Sequence, residues 1–329
     1  MTKSFIESFK EKYIGKITYR EPYSKTKWLS VRIRAYLDLF RAFTLLAPLF
    51  VSMSIMVASL VTNMQSGEQL PDYWWITVGQ ASATIALVNA ASNALNQATD
   101  YKTDKISKPY RPIPRRVIKP DEAQSLAYIF YLFALFRSAT INVWFGLFVF
   151  LIMVFTVTYS LPPRMKKYLF INQIWIAIPR GFFGILAAWS VFGNPFSPTP
   201  IIIGLIATVY LVGGMSTKDI VDSEADRKTG IHTLINTYGI KKTALFCFPF
   251  MLFPFLFIPI FINQNLLEAY TWPLVFAVIP SFIIFILMVK PIESKTLENV
   301  HAWSIMYVQY IFFAMSFSLL TIFNGILPL

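Results

Sequence analysis

The sequence predicts an all-α membrane protein with nine transmembrane helices, and three observations carry that reading. Hydrophobic residues fill 56% and charged residues only 14% of the 329 positions, against roughly 25% charged in an ordinary soluble domain. With 31 Phe, 16 Tyr and 8 Trp and a mean hydropathy of +0.55, the chain is also far from the polar composition of disorder. The apolar residues gather into windows close to the ~20 residues that cross a bilayer as a helix. Those windows are continuously apolar rather than alternating, which excludes an outer-membrane barrel, and an open sheet would leave its backbone unpaired in lipid.

Residues 1–37 come first and carry no short apolar stretch followed by a cleavage site, so they read as a basic cytoplasmic arm and not a signal peptide. Trp28-Leu29 and Tyr36-Leu37 can touch lipid there, while residues 1–20 suit a disordered tail. Residues 38–329 read as one membrane domain. Its windows are 44–63, 74–95, 124–140, 141–160, 169–192, 200–216, 244–263, 269–289 and 302–325. The third and fourth are separated only by Ser138-Ala139-Thr140-Ile141-Asn142.

The basic residues orient these spans. Lys and Arg concentrate in 3–41, 102–119, 164–167, 218–242 and 290–295, all on one side of a nine-span chain, and are absent from 64–73, 193–199 and 264–268. The positive-inside rule places the N-terminus in the cytoplasm and the C-terminus outside. The net charge of +12 is thus mostly topology and needs no nucleic acid. Only Arg137 and Arg180 fall elsewhere. Arg137 lies near a span end, where snorkelling explains it; Arg180, deep in a span, is a functional candidate facing a cavity or partner. The single cysteine, Cys247, sits among Phe and Pro as a buried apolar thiol and leaves no disulfide or CxxC site.

Six of the 17 acids fall in two short windows. Asn96, Asp100 and Asp104 stand at i, i+4 and i+8, one face of a helix; Asp219, Asp222 and Asp226 stand at i, i+3 and i+7, with Glu224 pointing elsewhere. Like charges at this spacing repel, so a cation belongs against each face. Oxygen donors without nearby His or Cys favour Mg²⁺ over Zn²⁺, and Mg²⁺ completes its shell with water and substrate phosphate. The competing reading is two solvated loops whose acids pair with Lys102, Lys105, Lys218 and Arg227. That would suffice for one such window; two, each at the cytoplasmic end of an even-numbered span, suit a diphosphate held between them. His232 and His301 show no metal-ligand spacing.

These windows, together with Lys108-Pro109-Tyr110-Arg111-Pro112-Ile113-Pro114, Tyr159-Ser160-Leu161-Pro162-Pro163-Arg164-Met165-Lys166 and Lys218-Asp219-Ile220-x-Asp222-x-x-x-Asp226-Arg227-x-x-Gly230, resemble the UbiA superfamily of intramembrane prenyltransferases. The resemblance implies a nine-helix bundle around a central cavity in the cell membrane, and a Mg²⁺-bound polyprenyl diphosphate as donor. It implies Asp100, Asp104, Asp222 and Asp226 as metal ligands, supported by Asn96 and Asp219. Lys108, Arg111, Arg164, Lys166 and Lys218 are the expected phosphate contacts, each with the alternative of a solvated loop cation. Tyr159 is expected beside the phosphate or allylic cation, with the alternative of an interfacial aromatic, and Arg180 is expected to contact substrate. Gln97 departs from the Asp that many members carry there, Arg115-Arg116 replace a small Ser-Gly pair, and Thr233-Leu234-Ile235 replaces Thr-Leu-Pro. The resembling members attach geranylgeranyl-type chains, which makes geranylgeranylglyceryl phosphate the first acceptor and a quinone precursor or chlorophyll-like ring the second. A terpene cyclase would use the same donor site without an acceptor. A transporter would need charges at mid-bilayer and broken helices in matching halves, where this chain has Arg180 alone. The expected partners are the diphosphate, a lipophilic acceptor and membrane lipid, with no nucleic acid and no obligate protein.

Overall fold

The structure, a computed structural model, describes residues 28–290 and 300–326. Residues 1–27 of the predicted basic arm, the side chain of Trp28 and Lys295 of the last basic loop lie outside the described residues. Every regular element among the described residues is helical. α1 (Trp28–Phe40) leads through a 3-10 turn (Ala42–Leu45) into α2 (Leu46–Gln65). α3 (Trp74–Thr99), α4 (Tyr101–Ser107), α5 (Pro120–Ala139) and α6 (Val143–Ser160) follow. α7 (Ile171–Ile178) and α8 (Gly184–Trp189) are joined by a π-turn (Pro179–Phe183). α9 (Pro198–Gly214) continues through a 3-10 turn (Met215–Lys218) into α10 (Asp219–Lys228). α11 (Leu234–Tyr238), α12 (Ile240–Leu256), α13 (Ile258–Asn263), a 3-10 segment (Ala269–Ala277), α14 (Val278–Val289) and α15 (His301–Ile326) follow in order.

The helix boundaries have local causes. Pro120 and Pro198 occupy first helical positions, where a missing N–H costs nothing. Asn142 divides the two closely spaced windows: its extended backbone ends the turn after α5, and its Oδ1 accepts from Phe145 N at 2.8 Å to start α6. The predicted span over 169–192 is broken. Pro179 removes one backbone donor, and the chain widens into a π-turn that closes onto α9. A Cβ on Gly181 would lie 2.6 Å from Thr208 N and Cα, so the two helices touch there only through glycine.

Among the described residues seven stretches are long and apolar enough to cross a membrane: Ala42–Gln65, Val143–Ser160, Ile171–Trp189, Pro198–Lys228, Ile240–Asn263, Ala269–Val289 and His301–Gly325. The nine-span expectation is met by composition only in these. α3 and α5 have the length, at 26 and 20 residues, but α3 carries Gln80, Asn89, Asn93, Asn96 and Gln97, and α5 carries Asp121, Glu122, Gln124 and Arg137.

Neighbours in the chain are neighbours in space. α2 packs on α3, α3 on α5, α5 on α6, α6 on α8, α7 and α8 on α9, α9 on α12, α12 on α14, and α14 on α15, which returns to α2. The ring closes through Tyr307 of α15, whose hydroxyl accepts from Ala47 N of α2 at 2.7 Å across 260 positions. Outward-facing Phe136, Val143, Ile279, Phe312 and Phe323 are exposed, while Asn93, Gln97, Asp104 and Asp219 are buried. This inside-out polarity suits a body solvated by lipid. On α1, Leu29, Ile33 and Leu37 form one exposed apolar stripe. Tyr36, expected beside them, turns inward instead and donates to Glu122 at the foot of α5, where Arg32 also donates to Val117 O at 2.9 Å.

Candidate active site

The ring encloses a cavity that is partly open to the outside. The two acidic windows meet at one end of it. α4 packs directly on α10, and Thr103 Oγ1 donates to Thr229 Oγ1 at 3.2 Å between them. Asn96, Asp100, Asp104, Asp219, Asp222 and Asp226 all line the cavity. The first three do not share one straight helix as expected: α3 ends at Thr99, Asp100 caps it, and α4 starts afresh at Tyr101. The turn keeps its helical hydrogen bonds, Asp100 N to Asn96 O at 2.9 Å and Asp104 N to Asp100 O at 2.8 Å, so the face survives the bend. Glu224 points away, as expected, and pairs with Lys228 on the surface at 2.6 Å.

Cations stand between these acids. Arg111 Nη1 donates to both oxygens of Asp104 at 3.0 and 2.9 Å, and Lys108 reaches across to Asp222 on α10. Lys166 and Arg164 converge on Asp100, the latter at 2.9 Å, and Lys218 holds Asp219 at 2.7 Å. The cations expected to meet phosphate thus hold carboxylates. Burial alone would raise the Asp100 carboxyl, but Lys166 and Arg164 outweigh it and hold it below the ordinary range. At Asp104 burial dominates and raises it, against Arg111 and Lys108. Arg164 touches Asp100 without being one of the residues that line the cavity. Tyr159 donates to Asn172 Oδ1 at 2.9 Å, and its ring lies 5.8 and 5.9 Å from the Lys166 and Lys218 ammonium groups, within cation–π reach.

Among the described residues, no three of His, Cys, Asp and Glu gather closely enough to hold a metal ion by themselves. The donor chemistry nevertheless fits Mg²⁺, which takes one or two carboxylates and finds its remaining oxygens in water and substrate phosphate. Asp226 supplies the specific indication. It is 7% exposed, feels repulsion from Asp222 and Asp219, and has no cation within ion-pair distance among the described residues.

Away from the acids the walls turn apolar, with Val51, Ile85, Val88, Ile152, Phe155 and Leu211. Arg180 lines the cavity as well. Sequence reasoning missed Arg41, Asn172, Trp303, Tyr307 and Tyr310, which line it too. Arg41 stood in a run of basic residues, and the aromatics are indistinguishable in sequence from lipid-facing ones. Gln97 takes no part in the cavity: its amide donates to Leu39 O at 2.7 Å and Asp38 O at 3.2 Å. His232 is an exposed loop residue, and Cys247 is buried as expected.

The ring, apolar on its outer face, encloses a cavity that carries both charged and apolar side chains. The chain belongs to the UbiA prenyltransferase family, whose pattern matches residues 42–322. Relatives include a digeranylgeranylglyceryl phosphate synthase of Methanobrevibacter smithii, 25% identical over 59% of this chain and 68% of that protein. Another, from Methanosphaera stadtmanae, is 28% identical over 50% of this chain and 58% of its own length. A probable homogentisate phytyltransferase 2 of Oryza sativa is 31% identical over 59% of this chain and 52% of its own. The chain therefore spans about half to two thirds of these relatives. A UbiA homologue from Archaeoglobus fulgidus solved with GPP and Mg²⁺ has the same fold, with a TM-score of 0.64 at 17% identity over 88% of this chain and 98% of that one. A digeranylgeranylglyceryl phosphate synthase structure gives 0.60 at 22% identity over 91% and 99%.

Proposed function

We propose that this protein transfers a geranylgeranyl group from its diphosphate to geranylgeranylglyceryl phosphate, with Mg²⁺, inside the cell membrane. The observation that supports it is the meeting of two acid-bearing helix ends, bridged by Lys108, at the mouth of an apolar cavity. Residues 38–329 act as one unit of nine spans, α3 and α5 included, with the N-terminus in the cytoplasm and the C-terminus outside, as the distribution of Lys and Arg requires.

Asp100, Asp104, Asp222 and Asp226 are the metal ligands, with Asn96 and Asp219 beside them. Bound Mg²⁺ neutralises the diphosphate and makes it a competent leaving group. Lys108, Arg111, Arg164, Lys166 and Lys218 already sit at the carboxylates, so a diphosphate entering there meets donors without large movement. The bond between the allylic carbon and the diphosphate oxygen breaks and its electron pair stays with diphosphate. The acceptor hydroxyl oxygen bonds to that carbon as its proton leaves. Phe155, Ile152 and Val88 keep water from the allylic carbon, and Tyr159 lies beside the cations that hold the leaving group.

A hydroxy-aromatic acid is the second acceptor reading, supported by the 31% identity to the rice relative. The test is to supply purified protein with Mg²⁺, labelled geranylgeranyl diphosphate and each acceptor, and weigh the products. The ether-linked double-chain lipid is expected. Prenylation of the aromatic acid alone would install the second reading, and a cyclised hydrocarbon made without acceptor would overturn both.

A further inference from the structure

The acidic end is not the only charged part of the cavity. Arg41 and Arg180 line the same space and act on one another electrostatically. Among the described residues no carboxylate lies within ion-pair distance of Arg180; its Nη1 has only Met215 Sδ, at 3.7 Å, and a thioether is a weak acceptor. A cation within a membrane span is costly unless an anion or water compensates it.

The backbone at both arginines is irregular and deliberately held. Arg41 has φ 51, in the left-handed region between α1 and the 3-10 turn, and Arg180 sits in the π-turn, a feature that gathers at functional sites. One helix clamps both bends. Tyr307 OH accepts from Ala47 N at 2.7 Å and donates to Phe43 O at 3.2 Å, while Tyr310 OH donates to Arg180 O at 2.7 Å. These tyrosines are three residues apart, on one face of α15. α3 braces the Arg41 bend from the other side with amides at i, i+4 and i+8: Asn89 donates to Thr44 O at 3.1 Å, Asn93 to Phe40 O at 2.9 Å and Gln97 to Leu39 O at 2.7 Å.

We propose that Arg41 and Arg180 form a second anion seat, that it receives the acidic headgroup of the acceptor, and that this group is a phosphomonoester. The inference rests on the transfer reading given above. The acid-bearing part of the cavity is the place of the donor diphosphate, and its cations already hold Asp100, Asp104, Asp219 and Asp222, so the acceptor's anion is left to Arg41 and Arg180, which line the same cavity. Two guanidinium groups match the charge of a phosphate dianion and its need for paired donors better than that of a single carboxylate. Tyr307 and Tyr310 are positioning residues, acting on the bends and not on the ligand.

The test separates the seat from the chemistry. In excess chelator and without donor, geranylgeranylglyceryl phosphate, its dephosphorylated alcohol and homogentisate are titrated against tryptophan fluorescence, since Trp175 and Trp303 line the cavity. The phosphate ester is expected to bind at least about tenfold more tightly than the alcohol, and Arg180→Leu and Arg41→Asn to erase that preference, as loss of a charged partner does. In turnover, both variants raise the acceptor KM about tenfold or more and leave the donor KM within about twofold. Tyr310→Phe, which keeps the packing, shows the same pattern more weakly, and Arg180→Lys recovers part of it. Equal binding of ester and alcohol by the wild type, or unchanged acceptor KM in the variants, overturns the proposal. Arginine-dependent binding of homogentisate but not of the ester overturns the phosphomonoester assignment. Arginine-dependent ester binding by a protein that forms no product with any acceptor supports the seat and overturns the transfer reading instead.

Discussion

Asp104 and Asp226 are both nearly buried in the same cavity, yet their removal has opposite structural costs. Asp104 is paired with buried Arg111 at 2.9 Å, and taking one partner from a buried pair costs about 3–5 kcal/mol. Asp226 has no ion-pair partner among the described residues, and burial with the repulsion of Asp222 and Asp219 outweighs the attraction of Lys218 and Lys108. Asp226→Asn is therefore expected to lower turnover by about 100-fold or more, the scale of losing a group that stabilises developing charge, while melting at or above the wild-type temperature. Asp104→Asn should lose activity and melt markedly lower. Melting curves of both variants in detergent decide the matter, and the reverse order would sink this assignment of charges. Gln97 gives a second contrast. Putting Asp there restores the residue common in the family, but a carboxylate would face the Leu39 and Asp38 carbonyls that the amide now satisfies. Gln97→Asp should cost about 1–3 kcal/mol of stability and leave the Mg²⁺ dependence of turnover unmoved; a lower Mg²⁺ requirement would show that the side chain reaches the metal. The acids were legible in the sequence because rare residues at helical spacing stand out in an apolar chain. Gln97 was not, because an amide reads alike whether it faces a metal or a carbonyl.

The helices themselves were legible where apolar residues run unbroken, and the breaks inside them were not. Asn142 is the only punctuation between α5 and α6, and its capping bond to Phe145 N is what separates them. Nothing in Ile176-Ala177-Ile178-Pro179-Arg180-Gly181 distinguishes a kinked helix from a π-turn, because that choice is made by contact with α9. Arg41 was hidden for the same kind of reason: a left-handed bend is imposed by partners on α3 and α15 and not by the residue itself. Gly181→Ala tests the contact with α9. An added Cβ would lie 2.5 Å from Thr208 Oγ1 and 2.6 Å from its N and Cα, so the helices must separate, at about 1–3 kcal/mol for overpacking of this kind. Because two of the three close atoms are backbone, adding Thr208→Ala should not rescue it. Full recovery of the melting temperature in the double variant would mean that the hydroxyl alone sets the spacing. The movement would also carry Arg180, so the acceptor KM should rise as stability falls.

For the molecule as a whole, carboxylates at one cavity end and an anionic donor predict that turnover vanishes in excess chelator and returns with Mg²⁺; full activity without divalent ions would remove the metal from the scheme, since the bare acids would repel diphosphate. Orientation can be read with single cysteines in a Cys247→Ser background, Cys247 being the only native thiol. Lys119→Cys should react with a membrane-impermeant reagent only from the cytoplasmic side and Asn265→Cys only from the other, and labelling of both from one side would refute the span count. The closed ring has a consequence for how the protein is made. Helix α2 finds its partner on α15 only after some 260 positions of chain have followed it, and a contact so distant in sequence forms late. Throughout synthesis the wall between α2 and α14 is missing, and Asn89, Asn93 and Asn96 of α3 border an open trough instead of an enclosed chamber. Polar side chains facing acyl chains are unfavourable and attract whatever will cover them, so the nascent protein is a natural client for insertion chaperones and, when stalled, for membrane proteases. The last helix is in that sense a latch, seated where Tyr307 meets the first turn of α2 and Tyr310 the π-turn.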